Sequence, residues 1–253
     1  MDRLVFTSNA TITEMAAARQ VLVNELANTS TVGFKSSYDV ALQSVKVEGE
    51  GFDTRMQAKA ISRDFIRLDP GPLMATGRNL DVALTDRSVL AVQAPNGELA
   101  FTRRGDLRVN PQGILETGSG HPVLGQGGPV NIPPGFIVKI NEDGGIYARD
   151  PAQVGPAPEV LVDQLSLRDA SQVKLLRRED GLYRVADRPA GSDFASGPNL
   201  PRVIPQALEG SNVSAIEAMA KLIDHSRSFE TQIRIIKETK SLDESGSTMM
   251  KNG

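Results

Sequence analysis

Glycine and proline are confined to the middle of this chain. All 15 prolines and 21 of the 23 glycines lie between Gly33 and Gly210, in a chain of 253 residues. Glycine loosens a helix and proline interrupts it, and both mark turns. The two ends are therefore built for helix and the middle for turns. A chain so patterned is predicted to be α+β. Its N- and C-terminal segments form a discontinuous, coiled-coil-like helical pair, and its centre forms a β-rich sandwich or irregular barrel. The predicted boundaries are residues 1–35 with 206–253 for the helical assembly domain, 36–72 for an extended connector, and 73–205 for the β-rich domain.

The C-terminal segment carries the clearer helix signal. It opens with a Ser214-x-x-Glu217 capping box, with Asn212 as an alternative N-cap. Ala215, Met219, Leu222, Ser226, Phe229, Ile233 and Ile236 recur at four- and three-residue steps, the spacing of a heptad seam. Ile216, Ala220 and Ile223 widen that face, and Lys221, Asp224, Arg227 and Arg234 line the other. At the front, Ile12, Met15, Ala16, Leu22, Val23 and Leu26 suggest a weaker amphipathic helix. It starts either at a Thr11-x-x-Glu14 box or near Leu4. Neither helix can bury its apolar face alone, so each needs the other or a second subunit. The polar ending ESGSTMMKNG reads as a disordered tail.

The middle reads as short strands joined by tight turns. PNG, PQG and EDG each sit between two apolar runs, a hairpin signal. The run NTSTVGF closes the first helix. Asn28, Thr29, Ser30 and Thr31 compete with helix, and Gly33 is suited to the left-handed turn that leads out of it.

Composition removes several function classes. The chain has no cysteine and a net charge of −3, so it has no disulfide or thiolate chemistry and no basic excess for nucleic acid. Its two histidines, His121 and His225, are far apart, which disfavours a His-rich metal site. No cofactor and no small-molecule substrate is indicated. The RGD at Arg104–Asp106 reads as a turn rather than an adhesion motif. The acids Glu142 and Asp143 fall in a hairpin turn, and no nucleophile or metal constellation accompanies any carboxylate. The chain is read as a non-enzyme. The different-class alternative, a secreted carbohydrate-binding module or hydrolase, is poorly served by a sequence with no tryptophan and three tyrosines. The N-terminus lacks the pattern of a cleaved secretory signal.

Several stretches, in order, carry a resemblance. ELANTSTVGFK is similar to the pattern NLANxxTxGFK, and LEGSNVSAIEAMAKLIDHSRSFE to LExSNVxxVxEMxxMIxxxRxFE. Between them, TGRNLDVAL is followed by FTRRGDLRVNPQGILETGSGHPVLG, which resembles YTRxGxFxxDxxGxLVTxxGxxVLG, and REDGLYR matches a further family stretch. Together they resemble the bacterial flagellar rod and hook proteins, most closely the proximal-rod type, with a distal-rod or hook-type axial protein as the alternative. The resemblance implies a structural subunit whose terminal helices form an inner domain inside a β-rich outer one. It implies export by the flagellar type III apparatus without a cleaved signal. It also implies assembly in the periplasm into the basal-body rod that transmits torque. The implied partners are other proximal and distal rod subunits, that export apparatus and the membrane-ring base of the rod. The terminal helices are expected to order on assembly.

Carried over residue by residue, the assembly determinants at the front are Leu22, Leu26, Ala27, Asn28, Thr31, Gly33, Phe34 and Lys35. At the back they are Leu208, Glu209, Ser211, Asn212, Val213, Met219, Ile223, Arg227, Phe229, Glu230 and Ile233. Pairing within the chain would bury Met219, Ile223 and Phe229 equally well. The sequence departs from the family at Val32 and Asn79, where proline is usual, and at Asp86–Val89, where an aromatic pair is usual.

Overall fold

The computed structural model describes residues 2–37, 41–46, 56–61, 65–152 and 158–251. A long helix stands at each end: α1 (Asp2–Ala27) and α2 (Ala215–Lys251). Between them run β1 (Ala41–Lys46), β2 (Met56–Ile61), β3 (Leu73–Ala75), β4 (Val82–Leu84), β5 (Ser88–Gln93) and β6 (Leu99–Thr102). Next come β7 (Leu107–Val109), β8 (Leu115–Thr117), β9 (Leu124–Gly125), β10 (Gly128–Pro129), β11 (Ile137–Ile140) and β12 (Gly145–Arg149). The last are β13 (Val160–Gln164), β14 (Leu167–Asp169), β15 (Leu175–Arg177), β16 (Tyr183–Val185), β17 (Val203–Pro205) and β18 (Ala207–Glu209).

The chain divides into two compact units. One consists of Met1–Ala27, Asp39–Arg63 and Ser214–Gly253, and the other of Asn28–Tyr38 and Asp64–Val213. The two terminal helices and the β-rich centre agree with the predicted class. Among the described residues the strands make several small sheets rather than a closed barrel.

In the helical unit, α1 packs against α2 and β2. The inner edge of α1 follows Thr11, Met15, Ala18, Leu22 and Glu25, all partly buried at alternating four- and three-residue steps. On α2, Ala218 is buried, and Leu222, His225, Phe229, Gln232 and Ile236 are partly buried at the same kind of spacing. This corrects the predicted seam. Met219 and Ser226 lie outside it, and the polar residues within it are His225 and Gln232. Ala16 and Val23 likewise lie on the exposed side of α1.

Three further expectations change. Of the two starts weighed for α1 the one near Leu4 is the nearer, since the helix begins at Asp2, and the Thr11-x-x-Glu14 box lies inside it and caps nothing. The stretch read as an extended connector contains the antiparallel pair β1–β2, which belongs to the helical unit. The C-terminal tail is helical through Lys251. It contains no proline, and a single glycine costs a helix only about 1 kcal/mol, so nothing in it forces a stop. Ser214 caps α2 as its box predicts: its hydroxyl accepts the Glu217 amide at 3.4 Å and its carbonyl the Ala218 amide at 2.9 Å.

The β unit is organised by a five-stranded sheet in the order β14-β5-β6-β16-β15. Residues Ser88–Val92 of β5 are buried without a break, the mark of a strand covered on both faces. Leu90, Val92 and Ala100 join one apolar core with Leu107, Leu115, Ile132, Ile140 and Ile146. Val89, Ala91 and Phe101 join a second with Leu175, Tyr183 and Phe194. In that second core Phe101 meets Phe194 edge-on at 4.9 Å. The hairpins β5–β6, β7–β8 and β11–β12 fall where PNG, PQG and EDG placed them, with Gly97, Gly113 and Gly144 all at positive φ. The RGD is not the predicted turn: Arg104 and Gly105 link β6 to β7 without a turn, Asp106 bridges Asp81, and the glycine serves a close approach, since a Cβ on Gly105 would stand 1.7 Å from the Val82 carbonyl oxygen. Arg104 pairs with Asp106 at 2.6 Å, so the two charges of the motif are spent on each other.

Candidate assembly site

The residues singled out from sequence fall into two groups. One group is drawn into the β unit by its backbone. After α1, Asn28 accepts the Thr31 amide with its carbonyl at 3.2 Å and the Thr31 hydroxyl with its side chain at 3.0 Å, which ends the helix in a turn. Gly33 follows with φ of 68°, the left-handed conformation its sequence context predicted. A Cβ there would stand 2.5 Å from the Arg103 carbonyl oxygen. The Gly33 amide donates to the Glu209 carbonyl at 2.7 Å, and its carbonyl accepts the Tyr183 hydroxyl at 3.3 Å. The Asn212 amide donates to the Phe34 carbonyl at 3.3 Å. The Asn212 side chain accepts the Ser36 amide at 2.7 Å and donates to the carbonyls of Arg67 and Asp69 at 3.0 and 3.2 Å. Residues 33–36 and 209–212, which lead from α1 and into α2 along the chain, are thus laced together inside the β unit.

Charge completes this junction. Lys35 and Glu209 are fully buried, with Nζ 2.7 Å from Oε1. Arg103, also fully buried, donates from Nε to Glu209 Oε2 at 2.8 Å. Its remaining nitrogens donate to the carbonyls of Asp86 (2.6 Å), Ser88 (2.8 Å) and Leu84 (2.9 Å). Lys35 also donates to the Asp69 carbonyl at 2.8 Å, and the Gly71 amide donates to Glu209 Oε1 at 3.0 Å. Burial, and after it the Arg103 charge, lower the Lys35 pKa to about 8, against the raising effect of its hydrogen bond to Glu209. Burial raises the Tyr183 pKa to about 12. Phe34 lies beneath Arg177, whose guanidinium carbon is 4.2 Å from the ring centroid and whose Nη2 donates to the Lys35 carbonyl. Phe34 therefore anchors in its own β unit.

The second group stays outside. Met219 and Ile223 are 50% and 54% exposed, and Ile216 is 83% exposed. Spaced three and four residues apart, they form one apolar stripe on α2. Arg227 and Glu230 are exposed on the turns that follow. Leu22, Leu26, Phe229 and Ile233 are partly buried in the helical unit, and Ala27 is exposed. Leu208 and Val213 are partly buried in the β unit, where Ser211 is buried and accepts the Val213 amide at 3.2 Å.

Sequence reasoning passed over Arg103, Gly71, Tyr183 and Arg177. The signal for Arg103 was its place inside FTRRGD, an arginine following buried β6. No group of histidine, cysteine and carboxylate side chains able to hold a metal occurs among the described residues. No helix among them is long and apolar enough to cross a membrane. The acids Glu142 and Asp143 sit exposed at a hairpin turn, where Asp143 accepts the Gly145 amide at 3.0 Å.

A helix at each end of the chain and a β-rich middle, with the front and back motifs joined at one buried charge cluster, fit the axial proteins of the flagellum. Residues 83–148 match the family model of the flagellar hook protein FlgE/F/G D1 domain, and residues 204–249 that of the flagellar basal body rod FlgEFG protein C-terminal region. The chain is 37% identical over 241 residues to the flagellar basal-body rod protein FlgF of Salmonella typhimurium, covering 93% of each. It is 37% identical over 240 residues to FlgF of Escherichia coli, again covering 93% of each. It is also 29% identical to the flagellar basal-body rod protein FlgG of Buchnera aphidicola from Schizaphis graminum, over 85% of this chain and 87% of that one. The chain belongs to the FlgF family of flagellar basal-body rod proteins, a structural family rather than an enzyme family.

Proposed function

We propose that this chain, a structural subunit of the flagellar basal-body rod, builds the proximal rod through the outward faces of its terminal helices. The observation that carries this reading is the apolar stripe of Ile216, Met219 and Ile223, left exposed on α2 although α1 covers the neighbouring edge. Exposed apolar residues at helical spacing favour a helical partner. Contacts that are head-to-tail and do not close generate helical tubes, which suits a drive shaft that transmits torque. The partners are other proximal and distal rod subunits, with the membrane-ring base of the rod as a further neighbour. The chain is delivered to the periplasm by the flagellar type III apparatus. The terminal helices are mobile in the free subunit and order on assembly. Replacing Ile216, Met219 and Ile223 together by serine in a motile bacterium should abolish rod completion and swimming while leaving the subunit folded. Normal basal bodies by electron microscopy in that strain would overturn the helix-face reading.

A further inference from the structure

The buried cluster in the β unit holds two cations and one acid. Lys35 and Arg103 both reach the Glu209 carboxylate. The Asp69 carboxylate lies outside and pairs with Arg67 at 3.0 Å, with both side chains about half exposed. Among the described residues, Glu209 is therefore the one acid bonded to both cations. It comes from β18, the last strand of the unit, and β18 pairs in its sheet only with β3. A two-stranded ribbon is marginal alone. Backbone fit helps it close: the Gly210 amide donates to the Pro72 carbonyl at 2.8 Å, and a Cβ on Gly71 would stand 2.3 Å from the Gly210 carbonyl oxygen. The dominant electrostatic consequence of withdrawing β18 is different: two buried cations would be left with no anion, which a dry site does not tolerate.

We propose that residues 206–212 form a charge-dependent latch on the β unit. It opens and closes as one piece, ahead of the five-stranded sheet, and releases the amides of Gly33 and Ser36 whenever it opens. Glu209 is its closing charge and Lys35 makes that charge necessary. A chain that has not yet delivered Glu209 cannot close the unit, so the latch keeps the two segments next to the terminal helices apart until the β-forming sequence is complete.

Native-state hydrogen exchange on the full chain tests this. Five amides report the latch: Gly33, Ser36, Gly71, Gly210 and Asn212. In the wild-type chain they should share one opening equilibrium, at least tenfold more open than Leu90 and Ala91 of β5. In E209Q the five should exchange faster by on the order of a hundredfold or more, while β5, which opens only after the latch, speeds up by no more than the same factor and stays at least tenfold better protected. In the double variant K35M/E209Q, which removes one stranded cation, at least tenfold of that should be recovered. The proposal fails if the five wild-type amides open together with β5. It fails equally if E209Q leaves them unchanged, or if K35M/E209Q is no more protected than E209Q. Should E209Q not fold, the wild-type comparison alone decides.

Discussion

Among the described residues, the β unit buries charged side chains and the helical unit buries none. In the β unit, charged side chains from three distant stretches are buried, and their bonds satisfy one another. In the helical unit, large apolar side chains stand in solvent on α2. The motifs that mark the family run through both units, yet the contrast separates their roles. Gly33, Phe34, Lys35, Glu209 and Ser211 build the subunit, while Ile216, Met219 and Ile223 stand exposed on α2, where we propose a neighbour docks. A motif residue carried over from relatives thus has two distinguishable fates, and burial tells them apart.

The sharpest way to break this contrast is to remove the acid at the junction. Glu209→Ala should destabilise the β unit by about 3–5 kcal/mol, because two cations stay buried without an anion. Urea unfolding followed by near-UV tyrosine dichroism measures this. A loss below about 1 kcal/mol would mean that the cluster is relaxed or hydrated in solution.

The next effect is one of pH. The folded Lys35 pKa of about 8 lies below the ordinary value of 10.5, so between these values the unfolded chain binds more protons. Stability of the β unit should therefore rise as pH climbs through that window, and Lys35→Met should flatten the rise. Tyr183 acts in the other direction. Its proton is held to about 12 against an ordinary 10.0, so above about pH 10 the folded chain binds more protons and stability falls. Thermal melts between pH 7 and 11 should show a maximum near the crossover, and Tyr183→Phe should remove the descending side.

A smaller loss is expected for Arg177→Ala, about 1–2 kcal/mol, from the stacking on Phe34 and the bond to the Lys35 carbonyl. Arg177→Lys should recover little of it, since an ammonium cannot reproduce the planar stack. The smallest effect on the isolated subunit belongs to the helical stripe. Serine at Ile216, Met219 and Ile223 should change monomer stability by no more than about 0.5 kcal/mol per site. A large loss would show that these residues pack within the monomer after all, and the contrast would fail there.

Local signals made most of the architecture legible. The helical ends follow from the distribution of glycine and proline, and the three hairpins from turn residues that act within a few positions. The face of α2 was harder to read. A seam through Met219 and Ser226 and one through Ala218 and His225 share Leu222 and Phe229, so both satisfy a heptad count. Spacing alone does not choose between them, and small Ala218 is the residue of α2 that is buried. The β1–β2 pair was hidden by a long mixed stretch, although MQAKAI alternates as a strand should. The junction was not legible at all. Its three charges come from positions 35, 103 and 209, and no sequence rule brings together residues so far apart. Arg103 also looks like a surface residue until its acceptors are seen.

Gly33 has a further consequence for genetics. A side chain there meets two independent obstacles, a φ of 68° and a backbone carbonyl 2.5 Å from where its Cβ would stand. A compensating substitution elsewhere could shift the carbonyl but not the dihedral, or ease the dihedral but not the space. Strains that lose motility through substitution of Gly33 should therefore regain it only by restoring glycine at that codon, with second-site suppressors absent from the revertants.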